Sequence, residues 1–323
     1  MHRISLIFLA LAAFLATPLH AGEAYPLKPI RLIVPYLAGG NADIQARYIA
    51  ERLSDALGKQ LIIDNRGGAN GMIGVELVAR AAPDGYTLLF VANTFTVSPS
   101  LFAKVPYDTV KDLQPISLVG ETPALFCGNS ALPANNVKEA IALAKSRPGQ
   151  LNYGSTGHGS PSHLAGALFE IMAGVKLMHI PHKGAVASNI AMVAGETQVG
   201  FPSFTSVFPL VKAGKLKAFA ITTKKRSTLA PDIPTMDEAG VPGYEASIWN
   251  AMLAPAGTPK PVVNRLNETI ANILKTPQAA ERYANVGAEI RYNSPDELAA
   301  LIRTELAKWA KVVKAAGIRS DQL

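Results

Sequence analysis

A short apolar strand, a glycine turn and an amphipathic helix follow one another repeatedly along this chain. That order restricts the fold more than any other feature. Ile30 to Val34 is a compact apolar run closed by Pro35. Tyr36-Leu-Ala-Gly39-Gly40-Asn41-Ala-Asp43 follows, then a helix whose inward face reads Ile44, Tyr48, Ile49, Leu53 and Leu57, stopped by Gly58. The unit recurs as strand Gln60 to Asp64, a loop over 65–71 and helix Met72 to Ala82. Tyr86 to Ala92 supplies another buried strand. Strands alternating with helices predict a mostly parallel sheet covered on both faces.

Two more apolar runs, Pro115 to Val119 and Ala124 to Cys127, precede a short amphipathic helix over Val137 to Lys145. Leu151 to Ser155 reads as a strand, followed by a loop with Gly157 and Gly159 and a new helix. Ser160 is its N-cap and Pro161 suits its first position. Further strands are expected at Lys176 to Ile180, Gln198 to Phe201, Leu216 to Thr222 and Ser247 to Leu253, with helices at Ala185 to Ala194 and Phe204 to Lys212. Residues 229–244, rich in proline and glycine, read as a long ordered loop. Helices at Pro261 to Leu274, Pro277 to Asn285 and Pro295 to Ala316 close the chain.

The chain opens Met-His-Arg-Ile-Ser, runs from Leu6 to Ala16 without a polar residue, and exits through small residues. This pattern predicts a secretory signal peptide over residues 1–24, cleaved after Ala21 or Ala24. The apolar run is well short of the ~20 residues that a membrane span needs. Export in a bacterial context means the periplasm, and about 300 remaining residues leave room for two domains. The formal charge of +7 becomes +6 if cleavage after Ala21 removes Arg3. The excess is spread thinly, and Lys224-Lys225-Arg226 is the only tight cluster, so no nucleic-acid partner is expected. A positive surface favours encounter with anionic solutes. Cys127 is the only cysteine, which excludes an intramolecular disulfide, and its apolar surroundings mark it as a buried hydrophobe.

Three glycine loops lie between a strand and a helix: Gly39-Gly40, Gly67 to Gly71, and Gly154 to Gly159. None has phosphate-loop or dinucleotide-turn spacing, so no nucleotide cofactor is expected. In open α/β sheets, ligands bind beyond the carboxyl ends of strands, where such loops gather. In the third loop, glycines and a helix N-terminus together make an anion site that needs no cationic side chain. The reading is capture of a small carboxylate by Ser155, Thr156, Gly157, His158, Gly159 and Ser160. Asp43 has two readings of equal weight: a first-turn acid that complements the helix dipole, or a group that orients ligand. Ser155 lacks the Gly-x-Ser-x-Gly elbow of a serine hydrolase. Four histidines between Gly157 and Gly184 raise the question of metal, but without His-Glu-x-x-His spacing or a cysteine partner none is expected. His163 reads as locally packed, His182 as a pocket residue before Lys183-Gly184, and Trp249 as packing at a domain boundary.

The motifs together resemble one family. They are Pro29-Ile-Arg-Leu-Ile-Val-Pro-Tyr36 with Gly39-Gly40 and Asp43, Asn65-Arg66 before a glycine loop, and Ala82-Pro-Asp-Gly-Tyr-Thr87. Leu151-Asn-Tyr-Gly-Ser155 with Gly157, Gly159, Ser160 and His163-Leu164 belongs with them, as do Lys183-Gly184, Glu238 to Tyr244 and Ala254 to Pro259. They resemble the tripartite tricarboxylate transporter receptors, the Bug-type periplasmic solute receptors, across essentially the whole mature chain. The resemblance implies a type II periplasmic-binding-protein fold: two doubly wound α/β domains around a ligand cleft. It implies domain 1 from residues 25–125 plus 249–323 and domain 2 from residues 126–248. It also implies a monomer that holds a di- or tricarboxylate, acidic amino acid or aromatic acid and passes it to membrane permease subunits. The ligand would be held by Tyr36, Gly39, Gly40, Asn41 and Asp43 on one side. Ser155 to Ser160, His182 and Ser203 would hold it on the other. A sensor that signals to a membrane regulator is the alternative output, and a secreted serine hydrolase the weaker rival. This chain departs from the family pattern at Ala38, where proline is usual, at Gly67 to Gly71, at His182, where tyrosine is usual, and at Phe201-Pro-Ser-Phe204.

Overall fold

The computed structural model describes residues 25–319, so the expected signal peptide lies outside the described residues. The first part of the chain runs β1 (Ile30–Val34), α1 (Asn41–Leu57), β2 (Leu61–Asn65), α2 (Met72–Ala79), β3 (Thr87–Ala92), α3 (Ser98–Leu101) and β4 (Leu113–Thr122). The second continues with β5 (Leu125–Asn129), α4 (Val137–Ser146), β6 (Asn152–Ser155), α5 (Pro161–Ala173), β7 (Met178–Pro181), α6 (Ala185–Ala194), β8 (Val199–Gly200), α7 (Phe204–Lys212) and β9 (Leu216–Ile221). The chain then returns through β10 (Ile248–Pro255), α8 (Lys260–Leu274), α9 (Pro277–Asn285) and α10 (Pro295–Ala316).

Two five-stranded sheets result, ordered β2-β1-β3-β10-β4 and β7-β6-β8-β5-β9. Neither is as parallel as the strand–helix alternation predicts. β1 is parallel to β2 and β3, but β10 is antiparallel to both β3 and β4. In the second sheet β6 is parallel to β7 and β8, while β5 is antiparallel to β8 and β9. The reason is connectivity. β5 and β10 each enter a sheet from the other lobe rather than through a helical crossover, so the right-handed parallel rule does not govern them.

Alternation along β1 sends Ile30, Leu32 and Val34 to a core shared with α1, α8 and α9. Ile33 points to the opposite core, shared with α2 and the first turns of α10. In the second lobe α4 and α5 cover one face and α6 and α7 the other. Gly166 lets α5 lie directly on β6, because a Cβ there would sit 2.3 Å from the Tyr153 ring. Cys127 is buried beneath α6 and α7, and burial pushes its thiol pKa up, so it is an inert core residue. α2 stops at Ala79, short of the expected Ala82, where the Pro83-Asp84-Gly85 turn approaches. The 3₁₀ turn at Asn93–Thr96 and the short α3 have no counterpart in the apolar periodicity.

α10 serves both lobes. Leu298 and Ile302 pack against the first sheet, whereas Trp309, Val312 and Val313 enter the core of the second. Its start is fixed by a capping box between Ser294 and Glu297, with Pro295 at the first position.

Candidate ligand-binding site

The expected ligand residues fall at the carboxyl ends of β1, β6, β7 and β8, where such sheets present their loops. In the first lobe, residues 35–38 with Gly40, Gly67, Gly68, Asn70 and Gly71 line an open groove of about 400 Å³. Gly39 adopts φ +85°, a left-handed conformation that favours glycine. Gly40 is the N-cap of α1 and offers no side chain to its first N–H groups.

Asp43 is buried, and its carboxylate is fully engaged. One oxygen accepts from the Gly39 N–H at 2.9 Å and from Arg47 Nε at 2.8 Å. The other accepts from Asn65 Nδ2 at 2.9 Å. Burial alone would raise the Asp43 pKa. The bonds from Arg47, Gly39 and Asn65 outweigh it and hold the carboxyl below its usual range. Tyr36 is likewise turned inward, its hydroxyl accepting from the Ala92 N–H at 3.0 Å and lying 3.0 Å from Thr94 Oγ1. Burial raises its pKa.

In the second lobe the loop after β6 is a dense hydroxyl–imidazole network. Ser155 is fully buried; its Oγ lies 2.7 Å from His179 Nε2 and bonds the Gly157 carbonyl at 3.1 Å. The Thr156 N–H donates to Ser162 Oγ at 2.9 Å, and the Gly159 N–H to His163 Nδ1 at 3.0 Å. Ser160 caps α5 as expected, accepting from the His163 N–H, and its Oγ donates to the Gly157 carbonyl at 2.7 Å. The loop amides that were expected to face an anion are therefore largely paired with the loop's own side chains. Among the site's polar side chains Ser155 and His163 are buried, and those of Thr156, His158, Ser160 and His182 remain partly exposed.

His182 joins this loop through its N–H, which donates to the Ser155 carbonyl at 3.0 Å. The ring nitrogens His158 Nδ1 and His182 Nε2 are buried without a partner. Ser203 is the N-cap residue of α7. It bridges Ala124 where β5 begins, and its hydroxyl bonds Ser206. Burial first, then the neighbouring His179 and His158, pushes the His163 pKa down to about 3; burial, His158 and His182 push His179 down to about 4. Both rings are thus neutral at physiological pH.

One place where the two lobes meet is Thr94. The segment carrying Asn93, Thr94 and Val97 faces Pro161 and Leu164 of α5 across a small void. Since Thr94 also contacts the Tyr36 hydroxyl, the Tyr36 loop and the start of α5 share one junction. Behind it the connecting strands are tied together: Thr222 Oγ1 accepts from the Ala124 N–H at 3.0 Å and donates to the Ala124 carbonyl at 3.1 Å. Trp249, edge-on to Phe95, packs where β10 re-enters the first lobe.

Periodicity did not single out Asn65, Arg47, Ser162 or His179 as parts of the site. All four act through another group by positioning Asp43, Thr156 or Ser155. The one available signal was place in the fold: Asn65 ends β2 and His179 lies within β7, beside the loops concerned.

Residues 45–318 match the family described as "Tripartite tricarboxylate transporter family receptor". Protein BugT of Bordetella pertussis is 36% identical over 315 residues, covering 97% of this chain and 96% of BugT. The R. palustris protein solved with adipate superposes with a TM-score of 0.74 at 34% identity, covering 91% of this chain and 99% of that one. MatC from Rhodopseudomonas palustris, solved with bound malate, gives 0.70 at 31% identity, covering 90% and 100%. The two lobes form the type II periplasmic-binding fold, and among the described residues no helix is long and apolar enough to cross a membrane. With its match running through both lobes, the chain belongs to the tripartite tricarboxylate transporter receptors, a family of solute-binding receptors rather than enzymes.

Proposed function

We propose that this protein is a periplasmic receptor that closes its two lobes on a small dicarboxylate and presents it to the membrane subunits of a tripartite tricarboxylate-type permease. One observation carries the reading. The first loop's only carboxylate, Asp43, is neutralised internally, and the second loop, from Ser155 to His163, contains no acid at all. What remains is a donor-rich surface of hydroxyls, imidazoles and two helix N-termini, which suits an anion. Relatives about one-third identical have been solved with adipate and malate, and both ligands carry two carboxylates.

In this reading Gly39, Gly40 and Asn41 meet one end of the ligand, with Tyr36 and Asp43 shaping their loop. Thr156, Ser160, His158 and His182 meet the other, and Ser203 lies at the base. Residues 25–125 with 249–319 form one closing body and residues 126–248 the other, with the last turns of α10 riding on the second. Closure removes water from the ligand's charges and strengthens their hydrogen bonds.

A thermal-shift series against mono-, di- and tricarboxylates tests the proposal. A ligand at 100 times its dissociation constant should add ~2.7 kcal/mol of stability. No shift with any carboxylate, including malate and adipate, would overturn it.

A further inference from the structure

All four histidines among the described residues occur at one place. His158 comes from the loop after β6, His163 from the first turn of α5, and His179 from β7. One ring nitrogen from each lies within 4.8 Å of the others. His158 stands nearly perpendicular to both partners, at 84° to His163 and 90° to His179. Its Nδ1 is buried and unpartnered, as is His182 Nε2 on the adjoining turn. Three imidazoles from three elements, with no carboxylate among them and one buried nitrogen left unsatisfied, are poor packing but a good donor set.

We propose that His158, His163 and His179 form a capture site for a borderline divalent transition-metal ion such as Zn²⁺, with His182 beside it as the nearest further donor. All-nitrogen donors select Zn²⁺, Co²⁺, Ni²⁺ or Cu²⁺ over Mg²⁺ and Ca²⁺, which take oxygen ligands. The proposal goes beyond the carboxylate reading and does not depend on it.

Binding requires a defined rearrangement. Tetrahedral Zn²⁺ with Zn–N bonds near 2.0–2.1 Å places ligand nitrogens about 3.3 Å apart. The present limit of 4.8 Å must therefore shrink. His163 and His179 are stacked 3.7 Å apart and 6° from parallel, so their in-plane lone pairs do not converge. Rotation about χ2 opens the stack and brings them together. His163 Nδ1 holds the Gly159 N–H and His179 Nε2 holds Ser155 Oγ, so ligation through either of those nitrogens costs that bond.

The test uses exported, untagged protein stripped with a chelator and free of added carboxylate. Equilibrium dialysis should give one equivalent of Zn²⁺ or Co²⁺ and no Mg²⁺. Bound Co²⁺ should show the visible bands of a low-coordinate nitrogen site. His158→Ala lies in a half-buried loop and should weaken Zn²⁺ at least tenfold without changing the melting temperature of the metal-free protein. His179→Gln keeps a polar partner for Ser155 but removes the imidazole, and should weaken it similarly. Absence of stoichiometric uptake, or uptake unaffected by both substitutions, overturns the proposal. Because carboxylate is absent, neither outcome bears on the receptor reading.

Discussion

The Asn65 side-chain amide donates to the Asp43 carboxylate at 2.9 Å, and the same nitrogen donates to the Tyr36 carbonyl at 3.1 Å. One residue at the end of β2 therefore holds the loop after β1 near both of its ends. With Arg47 and the Gly39 N–H on its other oxygen, Asp43 becomes an internal brace rather than an exposed charge.

Removing that brace should be costly. Asp43→Ala leaves the Gly39 N–H and the Asn65 amide without their acceptor and should destabilise the fold by about 2–4 kcal/mol. It should also abolish the carboxylate-induced thermal shift. Asp43→Asn, which can still accept from Gly39, should lose less. Wild-type melting and an intact shift in Asp43→Ala would refute the bracing role.

Ser155 has the same character in the second lobe. Ser155→Ala deprives His179 Nε2 and the Gly157 N–H of a buried partner. The expected cost is about 1–2 kcal/mol, with weaker carboxylate binding. Wild type and variant should be equally inert toward model esters. Ester turnover that disappears in the variant would contradict a binding-only role.

The tie between the connecting strands can be tested by Thr222→Val, which keeps the side-chain shape and removes the hydroxyl. The Ala124 N–H would be left buried without a partner, at a cost of about 1–3 kcal/mol in denaturant unfolding. An unchanged unfolding midpoint would show that the tie contributes nothing.

Acid should weaken the protein through its buried imidazoles. His163 and His179 have pKa values of about 3 and about 4, against 6.5 for the free side chain. Between those limits the unfolded chain binds protons that the folded chain does not. Their contribution is therefore complete above pH 6.5 and is lost as pH falls toward the folded values. His163 should cost about 2 kcal/mol by pH 4.5 and the more exposed, solvent-screened His179 less, measured by urea unfolding with chelator present. His163→Asn, which retains an acceptor near the Nδ1 position, should flatten this dependence. An identical pH profile in that variant would refute the assignment.

By itself the sequence determined the local units: the glycine stop of α1 at Gly58, the Ser160 cap with Pro161, and the proline-led starts of α8, α9 and α10. Each depends on contacts within a few residues, so apolar periodicity and capping chemistry reveal it. It also located the loops of the candidate site, because glycine turns at strand ends are local features. Tertiary structure alone decided the antiparallel insertion of β10 beside β3, which joins Asn250 to Ala92 across nearly half of the sequence. It decided that Asn65 at the end of β2 braces Asp43, that α10 is shared between lobes, and that four histidines gather beside one loop. The physical reason is the same in each case. Pairings between distant segments are selected by the packing of whole layers, and no local pattern of residues carries that information. The loop from Ser155 to Ser160 was legible as a polar turn before a helix. Whether its amides faced a ligand or its own side chains depended on His163, Ser162 and β7 coming to rest against it.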